Sequence, residues 1–166
     1  MATLHTRDRV REFEFMQDDK RATSPAIRRA DARDAPAVAR LFRAVRSAHL
    51  AYLPQLHTPQ EDLWFFRNRV FAECEVWIAG APDGFIAFRD GWVDHLYVRS
   101  AHQRRGIGTA LLAQAMRTHP HLRLWAFQNN AAAIRFYLAR GFREIERTDG
   151  SRNEEREPDV LFEWRR

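Results

Sequence analysis

The chain has 166 residues, 45% of them hydrophobic, with 27 Lys or Arg against 22 Asp or Glu and a formal charge of +5. That length and apolar content suit one domain with a real core, and no apolar run approaches the ~20 residues of a membrane span. The basic residues are almost all arginine and are interleaved with acids, so no block of like charge marks a nucleic-acid arm.

Residues 1–23 show no apolar period. Between Arg7 and Arg21, five basic residues alternate with five acidic ones. This reads as a solvated extension, with a short docked helix as the alternative and Met16 as an alternative start. The domain proper is taken as residues 24–166. Pro25 to Arg29 reads as a first strand. Asp34 is expected to cap the next helix, with Pro36 in its first turn. There Val38, Leu41, Phe42 and Val45 fall at i, i+3, i+4 and i+7 and form one apolar face. Ser47 to His57 reads as a loop. Thr58-Pro59-Gln60-Glu61 is a capping box that opens a second helix, running to about Phe71. Three strands follow: Glu75–Ala79, Phe85–Arg89 and Trp92–Val98. Pro82-Asp83-Gly84 and Asp90-Gly91 supply the turns. A third helix places Ile107, Leu111, Leu112, Ala115 and Met116 on one face and ends at His119-Pro120. Leu122–Phe127 is a strand. Asn130–Arg140 is a helix stopped by Gly141. Phe142–Arg147 and Val160–Trp164 form a closing hairpin. Strands and helices mix without strict alternation, which indicates an α+β sheet with a parallel pair where the third helix crosses over.

The informative stretch is Val98 to Leu112. A strand delivers the chain to a basic loop, and Gly106 and Gly108 precede a helix without a break. Glycines let the backbone approach a ligand closely, and a helix start offers unpaired N–H groups and partial positive charge. Such a junction binds phosphate or pyrophosphate. The third glycine of a dinucleotide fingerprint is absent, since that position is Leu111. A P-loop needs Gly-Lys-Ser/Thr, and the one lysine is Lys20.

What remains, Gln103-Arg104-Arg105-Gly106-Ile107-Gly108, resembles the acyl-CoA pyrophosphate loop of the GCN5-related N-acetyltransferases (GNAT). The segment Asn130-Ala-Ala-Ala-Ile-Arg-Phe-Tyr137-Leu-Ala-Arg-Gly141-Phe142 resembles that family's second signature, in the family's order and spacing. The likeness extends more weakly over 24–166. It implies an α+β three-layer fold: a mixed sheet of about seven strands, about four flanking helices, and strands 4 and 5 splayed to admit acyl-CoA. It implies acetyl-CoA as co-substrate, with Gln103, Arg104, Arg105, Gly106, Ile107, Gly108 and Thr109 around the pyrophosphate. The backbone of Tyr97 and Val98 would lie along the pantetheine arm. Asn130 would touch that arm, besides being a natural helix N-cap. Tyr137 would protonate or hold the leaving thiolate, or else be a core aromatic. Asp94 stands where some family members carry a base; the alternative is a strand carboxylate paired with arginine. Strand alternation puts His95 on the opposite face from Asp94, and Glu75 is a further candidate base.

The implied activity is transfer of an acetyl group to a primary amine, on a small molecule or a protein, in a ternary complex and without a metal. A non-catalytic acyl-CoA sensor is the alternative. His49, Tyr52, His57, Trp64 and Trp125 are candidate acceptor-lining groups, the two tryptophans having core positions as their alternative. Glu154, Glu155 and Glu157 could attract a cationic amine. His49 and His57 do not have zinc-site spacing. Cys74, the single cysteine, reads as a half-buried thiol. With no possible internal disulfide and no apolar leader, the expected location is the cytoplasm. No membrane or nucleic-acid partner is expected, and either a monomer or a homodimer fits.

Overall fold

A computed structural model describes residues 26–166; the charged segment 1–23 and Met16 lie outside them. Strand β1 (Ile27–Arg29) leads through a 3-10 turn (Ala32–Asp34) into helix α1 (Ala35–His49). Asp31, not Asp34, performs the capping. Its carboxylate accepts from the Arg33 amide at 2.9 Å, while the Asp34 carboxylate turns back to the Asp31 amide and to Arg28. The extra 3-10 turn shifts the capping position by one short turn, which periodicity alone does not register.

Helix α2 (Pro59–Phe65) starts at the expected capping box. Thr58 Oγ1 accepts from the Glu61 amide at 3.2 Å, and Glu61 Oε2 accepts from the Thr58 amide at 2.7 Å. The helix then passes through one π-helical turn (Phe66–Val70) and a last α-turn (Phe71–Glu73). Strands β2 (Glu75–Ala79), β3 (Gly84–Arg89) and β4 (Trp92–Val98) form the antiparallel meander. Helix α3 (Ile107–Thr118), strand β5 (His121–Phe127), helix α4 (Ala131–Leu138) and strands β6 (Arg143–Arg147) and β7 (Asp159–Arg165) complete the chain. No helix is long and apolar enough to cross a membrane.

The seven strands form one sheet in the order β1-β2-β3-β4-β5-β7-β6. Every neighbouring pair is antiparallel except β4–β5. Strand β3 carries buried side chains on both faces, which explains its unbroken apolar run. Phe85 and Ala87 pack with Val38, Leu41 and Phe66 beneath α1 and α2. Ile86 and Phe88 pack with Leu111, Leu112, Leu122 and Phe162 beneath α3 and α4. Each large side chain fully removed from water contributes roughly 1.5–3 kcal/mol, so the sheet is clamped from both sides. The apolar face predicted for α3 is the buried one, with Ile107, Leu111, Leu112 and Ala115 at or below 5% exposure.

Besides a register shift between Glu144 and Glu146 on the edge strand β6, two irregularities break the sheet near its centre. The parallel pair β4–β5 shares a single register position, Trp92 opposite Arg123. The Arg123 amide donates to the Gly91 carbonyl at 2.8 Å. Beyond that apex the strands diverge. Second, Ala87 pairs with His95 and Phe88 with Val93, leaving Asp94 as the extra residue of a β-bulge.

Candidate active site

The wedge between β4 and β5 opens toward the start of α3. Gly106 is that helix's N-cap, with φ +80° and no side-chain cap. Arg104, two residues earlier, also adopts a left-handed backbone at φ +63°. The first bond closing the helix runs from the Ala110 amide to the Gly106 carbonyl at 2.9 Å. The amides of residues 107–109 are therefore helix-start donors without a helical acceptor. A Cβ at Gly106 would meet nothing within 4 Å, so open space faces this loop.

The two glycines serve different ends. Gly106 supplies a backbone conformation that L side chains rarely adopt. Gly108 supplies room, because a Cβ there would lie 3.1 Å from Phe136 Cε2. The Arg140 guanidinium lies over that ring, 3.5 Å from its centroid. Arg140 Nε also donates to Thr109 Oγ1 at 3.1 Å, tying the end of α4 to the start of α3. The Gln103 side chain turns inward rather than toward the opening. Its Nε2 donates to the Val98 carbonyl at 3.0 Å and lies 3.2 Å from His49 Nε2. His49 also meets Ser100 Oγ at 2.7 Å, so it belongs to this loop and not to an acceptor pocket.

Asn130 does cap α4: its Oδ1 accepts from the Ala133 amide at 3.1 Å. Tyr137, on α4, is 8% exposed and packs against the rings of Phe136, Phe142 and Phe162. Burial, reinforced by Tyr97, pushes its hydroxyl well above the ordinary tyrosine range. It is thus a protonated group at neutral pH.

On the other side of the wedge lies a cleft of about 730 Å³, lined by α1, α2, the connection between them, β4, β5 and the β6–β7 connection. Asp94 and His95 both line it. The bulge at Asp94 resets the alternation of β4, so the expectation that these two side chains face opposite ways is corrected. Asp94 is ion-paired with Arg89 at 3.1 Å and accepts from Cys74 Sγ at 3.3 Å. His95 sits among the rings of Phe42, Phe65, Phe66, Phe85 and Tyr97. Burial there, with the nearby Arg46 charge, pushes its imidazole down to about 4. Glu75 lies away from the cleft and accepts from the Trp77 indole at 2.7 Å. Trp64 and Trp125 are not core residues. They are 60% and 44% exposed, and both line the cleft. The Arg46–Glu155 ion pair and the His57–Glu154 contact, each at 2.9 Å, tie its rim together. Glu157 instead accepts from Asn129 Nδ2 at 2.6 Å, and Tyr52 lies outside the lining.

A family profile described as an acetyltransferase (GNAT) domain matches residues 68–144, a span that holds the bulge, the glycine cradle and Tyr137. Residues 68–144 are thus similar to a GNAT acetyltransferase domain. A curated relative, the peptidyl-lysine N-acetyltransferase YiaC of Escherichia coli, is 34% identical over 84 residues, which cover 48% of this chain and 58% of that protein. A GCN5-related N-acetyltransferase structure from Rhodopseudomonas palustris superimposes with a TM-score of 0.71 at 24% identity, covering 87% of this chain and 97% of that one. The yncA structure of Salmonella typhimurium, solved with its cofactor acetyl-CoA, gives 0.64 at 19% identity, covering 86% and 94%.

Within this GNAT fold, several functional-looking features escape a linear reading. Arg140 bonds to Thr109 across 31 positions of sequence. Arg46 on α1 reaches Glu155 across 109 positions. Arg43 pairs with the buried Asp62 at 2.5 Å and donates to the His57 carbonyl at 3.0 Å. An arginine at helical spacing gives no sign of which distant carboxylate it meets. Among the described residues, no group of three or more His, Cys, Asp or Glu is placed to hold a metal.

Proposed function

We propose that this chain transfers an acetyl group from acetyl-CoA to a primary amine, by direct attack within a ternary complex. The observation that carries the reading is the parallel pair β4–β5, joined only at Trp92–Arg123 and opening onto the glycine-capped start of α3. The exposed donors at that helix start suit a pyrophosphate, and Arg104 and Arg105 on the adjoining loop add positive charge. The edge of β4 that faces the gap would take the pantetheine arm along Tyr97 and Val98. Asn130 and Thr109 would border the same opening.

The chemistry then divides among this chain's own groups. The amine nitrogen bonds to the thioester carbon while the carbon–sulfur bond breaks. Tyr137, held protonated by burial, delivers its proton to the departing sulfur, and the nitrogen proton lost as the amide forms restores the tyrosine. The ammonium proton must leave before attack, to Asp94 or to a water held at the bulge. Asp94 is already paired with Arg89, which favours a water that Asp94 orients. The acetyl-CoA bound by yncA and the N-acetyltransferase name of YiaC agree with this reading.

The test is a calorimetric titration of the purified protein with acetyl-CoA, with NAD as control. Acetyl-CoA binding that disappears in Gly106→Trp, with no NAD binding, is the expected result. Absence of acetyl-CoA binding to the unaltered chain would overturn the proposal.

A further inference from the structure

The acceptor cleft has a composition that selects among amines. Seven large hydrophobic side chains are exposed among the described residues, and four of them, Leu56, Trp64, Phe65 and Trp125, line this one cleft. Exposed aromatic surface gathered in a concavity marks a binding site rather than an accident of packing. The neutral His95 ring and Phe42 extend the apolar wall inward.

Charge is arranged differently. Five carboxylates line the cleft (Glu61, Asp62, Asp94, Glu154 and Glu155) against two arginines, Arg43 and Arg46. The cleft is therefore acidic in a chain whose formal charge is +5. Both arginines are engaged, with Asp62 and Glu155 respectively. An acceptor carboxylate would find no uncommitted guanidinium and would meet a field of its own sign. A single ammonium is attracted. Four of the five carboxylates are themselves engaged, Asp62 with Arg43, Glu155 with Arg46, Asp94 with Arg89 and Glu154 with His57, so a second ammonium would lose water against aromatic surface without a carboxylate of its own. The volume, about 730 Å³, matches a drug-sized molecule, and the contacts at the rim bound it on the β6–β7 side.

From this we infer that the acceptor is a small monoamine whose primary amine is carried on an apolar, aromatic-sized body, with no carboxylate and no second cationic group. The inference rests on the acetyl-transfer reading and goes further than it, naming the substrate class. It also departs from the peptide acceptor in the relative's name.

A matched panel tests it. Thiol release from acetyl-CoA is followed with 2-phenylethylamine, phenylalanine, putrescine and a short peptide with one internal lysine and a blocked N-terminus. Phenylalanine adds a carboxylate to the first compound, and putrescine replaces its ring with a second amine. The expected kcat/KM for 2-phenylethylamine is at least tenfold above each of the others. In Trp64→Ala it falls at least fivefold while the KM for acetyl-CoA is unchanged. Equal or better turnover of phenylalanine, putrescine or the peptide overturns the inference, as does Trp64→Ala turning over 2-phenylethylamine as well as the unaltered chain. Acetyl-CoA binding with no acetylation of 2-phenylethylamine overturns it too, while leaving cofactor binding intact. If acetyl-CoA does not bind, the catalytic reading fails separately. Calorimetry with 2-phenylethylamine and phenylalanine alone then decides the ligand class. Binding of the first only, lost in Trp64→Ala, upholds it; any other pattern overturns it.

Discussion

Phe136 meets both Gly108 and Arg140: a Cβ at Gly108 would lie 3.1 Å from its ring carbon Cε2, and the Arg140 guanidinium lies over the ring at 3.5 Å from the centroid. The ring therefore has little freedom to retreat. Gly108→Ala gains helix propensity of up to about 1 kcal/mol but forces this stack apart, an overpacking cost of about 1–3 kcal/mol. The expected net effect is a loss of about 1 kcal/mol in denaturant unfolding. Combined with Phe136→Leu, the added methyl should be tolerated, so the double-mutant cycle should show a favourable coupling.

Gly106→Ala makes a contrasting case. No atom obstructs the new methyl, so its cost is the left-handed backbone alone, about 1–2 kcal/mol. A chemical melt should show that loss, and acetyl-CoA titration should show weaker binding because the loop amides are re-aimed. Unchanged stability would mean the loop relaxes to a different backbone.

Tyr137→Phe separates chemistry from folding. The hydroxyl sits at the end of a packed ring and makes no side-chain hydrogen bond to another described residue, so its removal should change stability by less than about 1 kcal/mol. If it delivers the proton to sulfur, kcat should fall by about a hundredfold or more. The KM for acetyl-CoA should hardly move. A variant as fast as the unaltered chain would exclude the acid role.

His95 gives a pH signature. Its imidazole drops from 6.5 to about 4 on folding, chiefly by burial. Between those values the unfolded chain binds the proton and the folded one does not, so stability rises with pH across that window. The contribution is complete above pH 6.5 and is lost as pH falls toward 4; it is on the order of 2–3 kcal/mol. Urea melts at pH 7 and pH 4.5 should show the loss, and His95→Phe should flatten it. The Glu163 carboxylate, drawn from 4.5 down to about 2 by Arg165, His121 and Arg123, loses its contribution from about pH 4.5 downward and so overlaps only the bottom of this window.

Cys74 is predicted to be a sluggish thiol. Burial and the Asp94 carboxylate push it up to about 12. At pH 8 its thiolate fraction is then about a thousandth of that of a thiol with the reference pKa of 9.0. Alkylation by iodoacetamide should be slow in the folded chain and fast in urea. Asp94→Asn should accelerate it in the folded state, by removing the second of these two causes.

Element types and order were legible because turn residues bound the short apolar runs Val76–Ala79 and Phe85–Phe88, while apolar residues recur near a period of 3.6 across Val38–Val45. The cradle was legible because glycine has few other reasons to occur twice at a strand–helix junction. Three things were not. The bulge at Asp94 inserts one residue into an otherwise regular strand, and nothing in Trp92-Val93-Asp94-His95 marks it. The exposure of Trp64 and Trp125 depends on what does not pack over them. The partners of Arg43, Arg46 and Arg140 depend on tertiary closure, since long flexible side chains reach partners that spacing does not encode.

The arrangement of β7 has a temporal consequence. It pairs with β5 along all seven positions from His121–Arg165 to Phe127–Asp159 and separates β5 from β6. On the ribosome, β5 therefore emerges more than thirty residues ahead of its principal neighbour and can share only Trp92–Arg123 with the meander already made. Until residues 159–165 arrive, β5 presents Leu122, Leu124 and Ala126 on an unclosed edge. The first half of the sheet can assemble during synthesis, but one wall of the β4–β5 wedge is fixed only at the last step. A chain cut before Val160 should leave the ribosome as a sticky, half-built sheet rather than as a weakened form of the whole fold.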